Sequence, residues 1–383
     1  MPTYKKGNYR NIESSFRSRL STRGLKGLAT SGNIDDELWL MLDYYSEVES
    51  VGMDLLKNAG IHSLIRKRIF KHFQSYVRQA KTYYISAKTL PARSSGLLYY
   101  YCFLNLAKAA ILLKDSSIAG KFIGHGLTYK ISNNANISTQ LVSVKSNGVF
   151  EKLYELYFGI PLRIKTFGVQ TLFNYCSDLT HQCSMAGISE KKIIRAYFAG
   201  GMSKIRKTSW GIVGFSDLNE IEKYKKTMKP FFDSYELVDI PQLVCRDIFK
   251  LTAYQSSSIS FFQSTTERPW LDPNTPHFDA DVNQVMTALG KIFQVNYFKE
   301  DYDFKIALPY NRNRQERIDE LIAIYIIMFY ISELIRYKPA YLENLLNKKE
   351  SWLIESFVKL CPVTFLRMII SLIASVDYVI ETR

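Results

Sequence analysis

Residues Leu97–Gly126, LLYYYCFLNLAKAAILLKDSSIAGKFIGHG, constrain the fold more than any other stretch of the chain. The spacing predicts a helix over Ala92–Leu113 that is apolar on nearly every side. A surface helix keeps one polar face, so this one must be central and covered all round. Asn105 and Lys108 are its polar exceptions. A buried lysine is costly, so Lys108 must reach the surface, an acid or a ligand. The segment then runs out into a histidine between two glycines, Gly124-His125-Gly126.

Helical spacing also organises the flanks. Asn33-Ile34-Asp35-Asp36 is a helix start with acids in the first turn. From there Leu38, Met41, Leu42, Tyr45, Val48, Gly52 and Leu55 recur up to the stop at Asn58-Ala59-Gly60. A second helix is read from about Ser63 to Leu90, ended by Pro91, because proline disfavours helical geometry in the residue before it. Beyond Ser132 the composition turns to Asn, Ser and Thr. Ile137–Lys145 alternates like a strand, and Ser146-Asn147-Gly148 supplies a turn. Val149–Phe158 and Phe167–Cys183 return to helical spacing. Ser258–Ser264 reads as β-like, and Glu267–Phe278, with Pro269, Pro273 and Pro276, reads as a surface loop. Helices are expected again at Arg314–Tyr337 (stopped by Pro339), Leu342–Asn347, Ser351–Leu360 and Val363–Ile380.

The fold expected from this pattern is mainly α, a multi-helix globular fold with a small β element near 137–149 and another at 248–264. Four segments follow: a basic N-terminal arm (1–30), a helical core with the histidine loop (31–160), a basic, mixed middle region (161–280) and a C-terminal helical region packed on the core (281–383). The apolar runs Leu321–Ser332 and Val363–Ile380 are too short or too charged to read as membrane spans, since a bilayer needs about 20 apolar residues. They are expected as buried helices of a cytoplasmic protein with no membrane partner.

Charge narrows the class of partner. Fifty Lys and Arg against 36 Asp and Glu give a formal charge of +14. Such an excess favours a polyanion, because neutralised phosphates release counterions. Cations concentrate in the arm (Lys5, Lys6, Arg10, Arg17, Arg19, Arg23, Lys26) and in Ser189–Lys207, where Lys191, Lys192, Arg195, Lys204, Arg206 and Lys207 are uninterrupted by an acid. The five cysteines form no C-x-x-C pair and read as reduced thiols. His181 with Cys176 and Cys183 is too scattered for zinc, so no metal or cofactor is expected. Walker, dinucleotide-fingerprint, H-E-x-x-H and G-x-S-x-G motifs are absent, which removes the commonest nucleotidase, dehydrogenase, metalloprotease and hydrolase readings.

The order of residues across 73–157 resembles the YaaC-like family of bacterial proteins. The residues that carry this are Tyr83-Tyr84 with Ala87, Leu98-Tyr99-Tyr100 with Leu104, and Leu106-Ala107-Lys108-Ala109 with Leu112. Gly124-His125-Gly126-Leu127-Thr128 with Lys130 follows, then Val144-Lys145, Asn147-Gly148 and Phe150. Ile335-Arg336-Tyr337-Lys338-Pro339 looks like the family's helix-end signature. The resemblance implies a fold and little chemistry. A second resemblance is to HEPN domains, all-helical modules of which many are RNases in toxin–antitoxin and antiphage systems. Their signature is an Arg followed several residues later by His. Here only Arg66…His72 has that spacing, on the helix before the paired tyrosines rather than where the HEPN order would place it. At about 100° per residue, six positions put the two side chains on different sides of a helix.

The candidate catalytic residues are therefore His125, His72 and Arg66. His125 reads as a general base or phosphate ligand, because flanking glycines let the backbone approach a bound group. Its bland alternative is a loop histidine bonded to the main chain. Lys108, Lys130, Lys145, Lys191, Lys192, Arg195, Lys204, Arg206, Lys207 and Arg336 are the candidate anion contacts, each otherwise an ordinary solvated cation. Arg336 also suits a helix C-terminus. The expected function is binding of nucleic acid or a nucleotide, within a bacterial antiphage or stress system. The alternatives are a HEPN-like, metal-independent RNase and an interaction subunit docked on a protein partner, either as a homo-oligomer or within a defence complex.

Overall fold

In the computed structural model the chain begins with helices α1 (Ile34–Glu47), α2 (Glu49–Asn58), α3 (Ser63–Lys88), α4 (Ala92–Lys114) and α5 (Val149–Phe158). After a long insertion come α6 (Glu320–Tyr337), α7 (Pro339–Leu346) and α8 (Glu350–Ala374). The structure describes residues 4–12, 14–17, 25–30, 33–130, 136–188, 190–249, 251–270, 294–297, 304–312, 316–348 and 350–382. Arg19, Arg23, Arg314 and the Pro273–Pro276 loop fall outside them.

Helix α4 is the hub that its sequence demands. It packs on α3, α5, α6 and α8. Phe103 stacks on Phe365 of α8 with ring centroids 3.8 Å apart. Every residue of α6 from Leu321 to Ile331 is buried. Two helices, α4 and Ser351–Ala374 within α8, are long and apolar enough to cross a membrane, but most of each is buried inside this unit, where they pack on each other. Asn33 caps α1 by accepting from the Asp35 amide. The single helix expected over Asp35–Leu55 breaks at Val48, and the Ser46 carbonyl near the end of α1 accepts instead from Gln74 Nε2 at 2.8 Å. Pro362 does not end a helix; α8 runs through it and stops at Ala374, followed by a strand at Asp377–Thr382 that pairs with Leu25–Thr30. A three-stranded antiparallel sheet, Leu127–Lys130, Leu141–Val144 and Thr166–Gly168, flanks the helices.

The mainly α expectation is overturned by the rest of the chain. Residues 1–25 and 191–318 form a second compact unit; its larger part, 191–318, is inserted in sequence between the two parts of the helical one (26–190 and 319–383). It holds a mixed sheet of nine strands among the described residues. Its spine is the hairpin Ile193–Ser203 with Thr208–Phe215, flanked by Ser260–Ser264 and Phe304–Ala307. Tyr235–Val238 adds to one side, with Lys5–Lys6 parallel to it; Gln294–Tyr297 adds to the other. The small β element at 248–264 is therefore one strand of a large sheet, to which Lys5–Lys6 and Ser14–Arg17 of the arm add strands.

The hairpin escaped the pattern for a physical reason. Its strands are buried on both faces, so the apolar–polar alternation of a half-exposed strand is missing. Gly201 is required inside the strand. A Cβ there would lie 2.5 Å from the Trp210 indole, which covers it.

Candidate functional site

The histidine loop is held by main chain. In the turn after α4, Asp115 accepts from the Ser117 amide and pairs with Lys152 of α5 at 2.8 Å. The chain then passes Gly124 and His125, whose carbonyls accept the Val149 and Phe150 amides at 2.9 and 3.1 Å. These are first-turn amides of α5, which otherwise need a cap. The Lys145 amide donates to the Gly126 carbonyl at 2.9 Å. Gly126 and Gly148 meet backbone to backbone: a Cβ on Gly148 would sit 2.1 Å from the Gly126 Cα. The separated H-G and K-x-N-G elements of the sequence are thus two halves of one clasp.

The clasp fixes the imidazole. Nδ1 of His125 accepts from the Leu127 amide at 3.2 Å, which assigns the ring proton to Nε2 in the neutral form. The ring lies 5.2 Å from Phe329 of α6. Burial is the main cause holding its pKa below the ordinary histidine value, and the positive charges of Arg336 and Lys145 push in the same direction. Lys145, from the same clasp, and Arg336, from the distant α6, therefore both bias the imidazole.

Arg336 enters from the last turn of α6, where a cation suits the helix dipole. Its guanidinium lies 5.9 Å from the Tyr101 ring and 5.0 Å from the Tyr337 ring, and pairs with Glu333. The contact to the Tyr101 hydroxyl is long, at 3.4 Å. Nε of Arg336 is buried and has no hydrogen-bond partner among the described residues, an uncommon state for a charged donor. Tyr101, Glu333 and Phe329 were not singled out from sequence; nothing in a single chain tells which tyrosine of Tyr99-Tyr100-Tyr101 faces Arg336.

The other candidates are placed elsewhere or engaged otherwise. Arg66 donates through Nε and Nη2 to the Ile61 carbonyl at 3.2 and 2.9 Å, holding the loop before its own helix. His72 sits beside Gly120, whose added Cβ would be 3.6 Å from the ring. No described contact joins Arg66 to His72. Lys108 is half-buried, 5.8 Å from the Tyr76 ring, and burial lowers its pKa. The Lys130 backbone pairs opposite Leu141, and its side chain lies outside the described residues.

In the sheet unit the basic run 191–207 is divided by an eleven-residue strand. At about 3.3 Å per residue its ends are on the order of 35 Å apart, too far for one patch. Lys191 pairs with Asp217 at 2.8 Å. Lys192 is 2 % exposed and donates to the Tyr224 hydroxyl at 2.5 Å and the Tyr310 carbonyl at 3.2 Å. Arg195 is exposed on the strand opposite Lys305. Lys204, Arg206 and Lys207 form the hairpin tip, with Arg206 on Glu267 at 3.0 Å. Arg10 lies 3.7 Å from both Glu236 and Glu267. Acids distant in sequence interleave with these cations, which the uninterrupted run concealed.

Among the described residues no group of three or more His, Cys, Asp or Glu is placed to hold a metal ion. All five cysteines are buried and free. No curated protein and no solved structure matches the chain. The HEPN resemblance therefore finds no counterpart in these comparisons. The YaaC-like protein model does match, over residues 56–373, a span that takes in the clasp, Arg336 and the inserted segment 191–318. With most of its length covered, including both halves of the glycine clasp and the arginine that faces it, the chain belongs to the YaaC-like protein family.

Proposed function

We propose that the chain binds a phosphate-bearing ligand, a nucleotide or nucleic acid, through His125, Lys145 and Arg336. The observation that carries this reading is that the charges of Lys145 and Arg336 both act on the His125 imidazole, while the buried Arg336 Nε has no hydrogen-bond partner among the described residues. Arg336 already pairs with Glu333 through one nitrogen; an anion would add charge-assisted bonds, the strong kind, from the remaining Arg336 donor, from Lys145 and from the neutral imidazole Nε2–H. Phe122 favours a base-bearing ligand over bare phosphate: it is 97 % exposed and three residues from His125. Leaving a phenylalanine in water forgoes about 1.5–3 kcal/mol, whereas nucleobases stack on such rings. The role is binding rather than proton abstraction, because a main-chain amide and not a carboxylate orients the imidazole.

Fluorescence anisotropy with a labelled single-stranded RNA oligonucleotide, measured between about 50 and 200 mM salt, tests the reading. Arg336→Gln should weaken binding about tenfold and lower the salt slope by about one. Inorganic polyphosphate should compete. Affinity that is unchanged in a His125→Asn/Lys145→Gln/Arg336→Gln protein, or no binding at all, refutes the proposal.

A further inference from the structure

A cavity of about 420 Å³ opens elsewhere in the helical unit, between the start of α1, the end of α3, the start of α4 and the middle of α8. Its size falls in the ~300–1,000 Å³ range of small-molecule sites. We infer that it binds a small zwitterion with an apolar body, an amino acid or a dipeptide. This goes beyond the anion site and does not depend on it.

The charges of the lining are balanced. Asp35 is 7 % exposed and accepts from Lys88 Nζ at 2.8 Å; Glu355 and Lys359 of α8 stand at the exposed rim. Neither rim residue is in an ion pair among the described residues. A phosphate would meet two carboxylates here, and a lone cation would meet two ammonium groups. A zwitterion can pair with Glu355 and Lys359 at the rim while Asp35 and Lys88 keep their own bond.

The uncharged groups point the same way. Pro91 precedes α4 and gives it no side-chain cap, so the amide of Ala92, at the cavity wall, starts a helix whose positive end is open to a carboxylate. The Ser95 and Tyr99 hydroxyls also line the cavity and make no hydrogen bond among the described residues. Burial, with the Asp35 charge added, pushes the Tyr99 phenol up to about 12, so it remains a donor at neutral pH. The Tyr84 and Tyr99 rings with Leu90 and Val363 supply the apolar wall. Tyr99 and Tyr101 are two positions apart on α4, about 200° around the helix, so this cavity and the Arg336 contact use different sides of it.

Calorimetry and thermal shift on the full chain test the inference, with L-leucine, L-phenylalanine and glycyl-L-phenylalanine as probes. N-acetyl-L-phenylalanine lacks the cation and L-phenylalaninamide lacks the carboxylate. At least one zwitterion should raise Tm by about 5 °C or more at a hundredfold excess over its Kd, and the blocked forms should bind about tenfold more weakly. Tyr99→Phe should reduce affinity several-fold without altering packing. The surface change Lys359→Gln should weaken the zwitterions but not the amide. Arg336→Gln should leave the response intact. Absence of any shift with all three zwitterions, or equal binding of the blocked forms, overturns the inference.

Discussion

Replacing Gly148 with alanine tests the clasp with a single methyl group. The new carbon would lie 2.1 Å from the Gly126 Cα, 2.6 Å from the Gly126 nitrogen and 3.2 Å from the Gly124 oxygen. Carbon atoms rest at about 3.5–4.0 Å, so the strands must part by about 1.5 Å. All three obstacles are backbone, and no rotamer change relieves them. Overpacking of this kind costs about 1–3 kcal/mol. Parting the strands also breaks the Val149–Gly124 and Phe150–His125 hydrogen bonds, at about 0.5–1.5 kcal/mol each. The expected destabilisation is about 3–5 kcal/mol. Gly126→Ala adds a left-handed backbone at φ +81°, about 1–2 kcal/mol more. Gly124→Ala is the control: its Cβ meets nothing within 4 Å, so it should stay within about 0.5 kcal/mol of the parent. Urea unfolding followed by far-ultraviolet circular dichroism reads mainly the helical unit and gives the midpoint shift. If Gly148→Ala is as stable as Gly124→Ala, the clasp reasoning is wrong.

Three further outcomes follow from the same geometry. His125 has a folded pKa below its unfolded value, so the unfolded chain takes the proton first. Its contribution to stability is present above about pH 6.5 and is lost as pH falls; a bound anion reverses the preference, so RNA affinity should rise from about pH 8 to about pH 6 with proton uptake. A flat profile, or one unchanged by His125→Asn, contradicts this. Lys192→Met removes the ammonium that donates to the Tyr224 hydroxyl and the Tyr310 carbonyl, and should destabilise the sheet unit by about 1–3 kcal/mol with no loss of RNA affinity, read by tryptophan fluorescence in denaturant and by anisotropy. The five buried thiols should resist Ellman's reagent until the chain unfolds, since burial raises Cys183 to about 12 and Cys361 to about 11; one fast-reacting thiol in the native protein would be enough to reject that.

The helices around α4 were legible because they bury one another through spacing that sequence displays directly. Pro91 and Pro339 mark boundaries as expected, the latter at the first position of α7. Pro362 does not, because local preference yields to the packing of α8 on α4 and α6. The sheet was illegible where Ile193–Ser203 is apolar on both faces and where Phe304–Ala307 pairs with it across a long separation. The site was half legible. His125, Lys145 and Arg336 were all named, but their meeting depends on α6 returning to α4, and no local pattern encodes that. The basic run failed as a guide for the converse reason: Asp217 and Glu267, remote in sequence, are its neighbours in space.

The inserted sheet sets a timetable for the newborn chain. Helix α4 ends at residue 114, whereas α6 and α8, which cover two of its sides, begin at 320 and 350. At about 5–20 residues per second, a ribosome leaves those greasy flanks waiting on the order of ten seconds or longer. A fragment cut anywhere before α6 would keep the waiting surface permanently and should clump rather than refold.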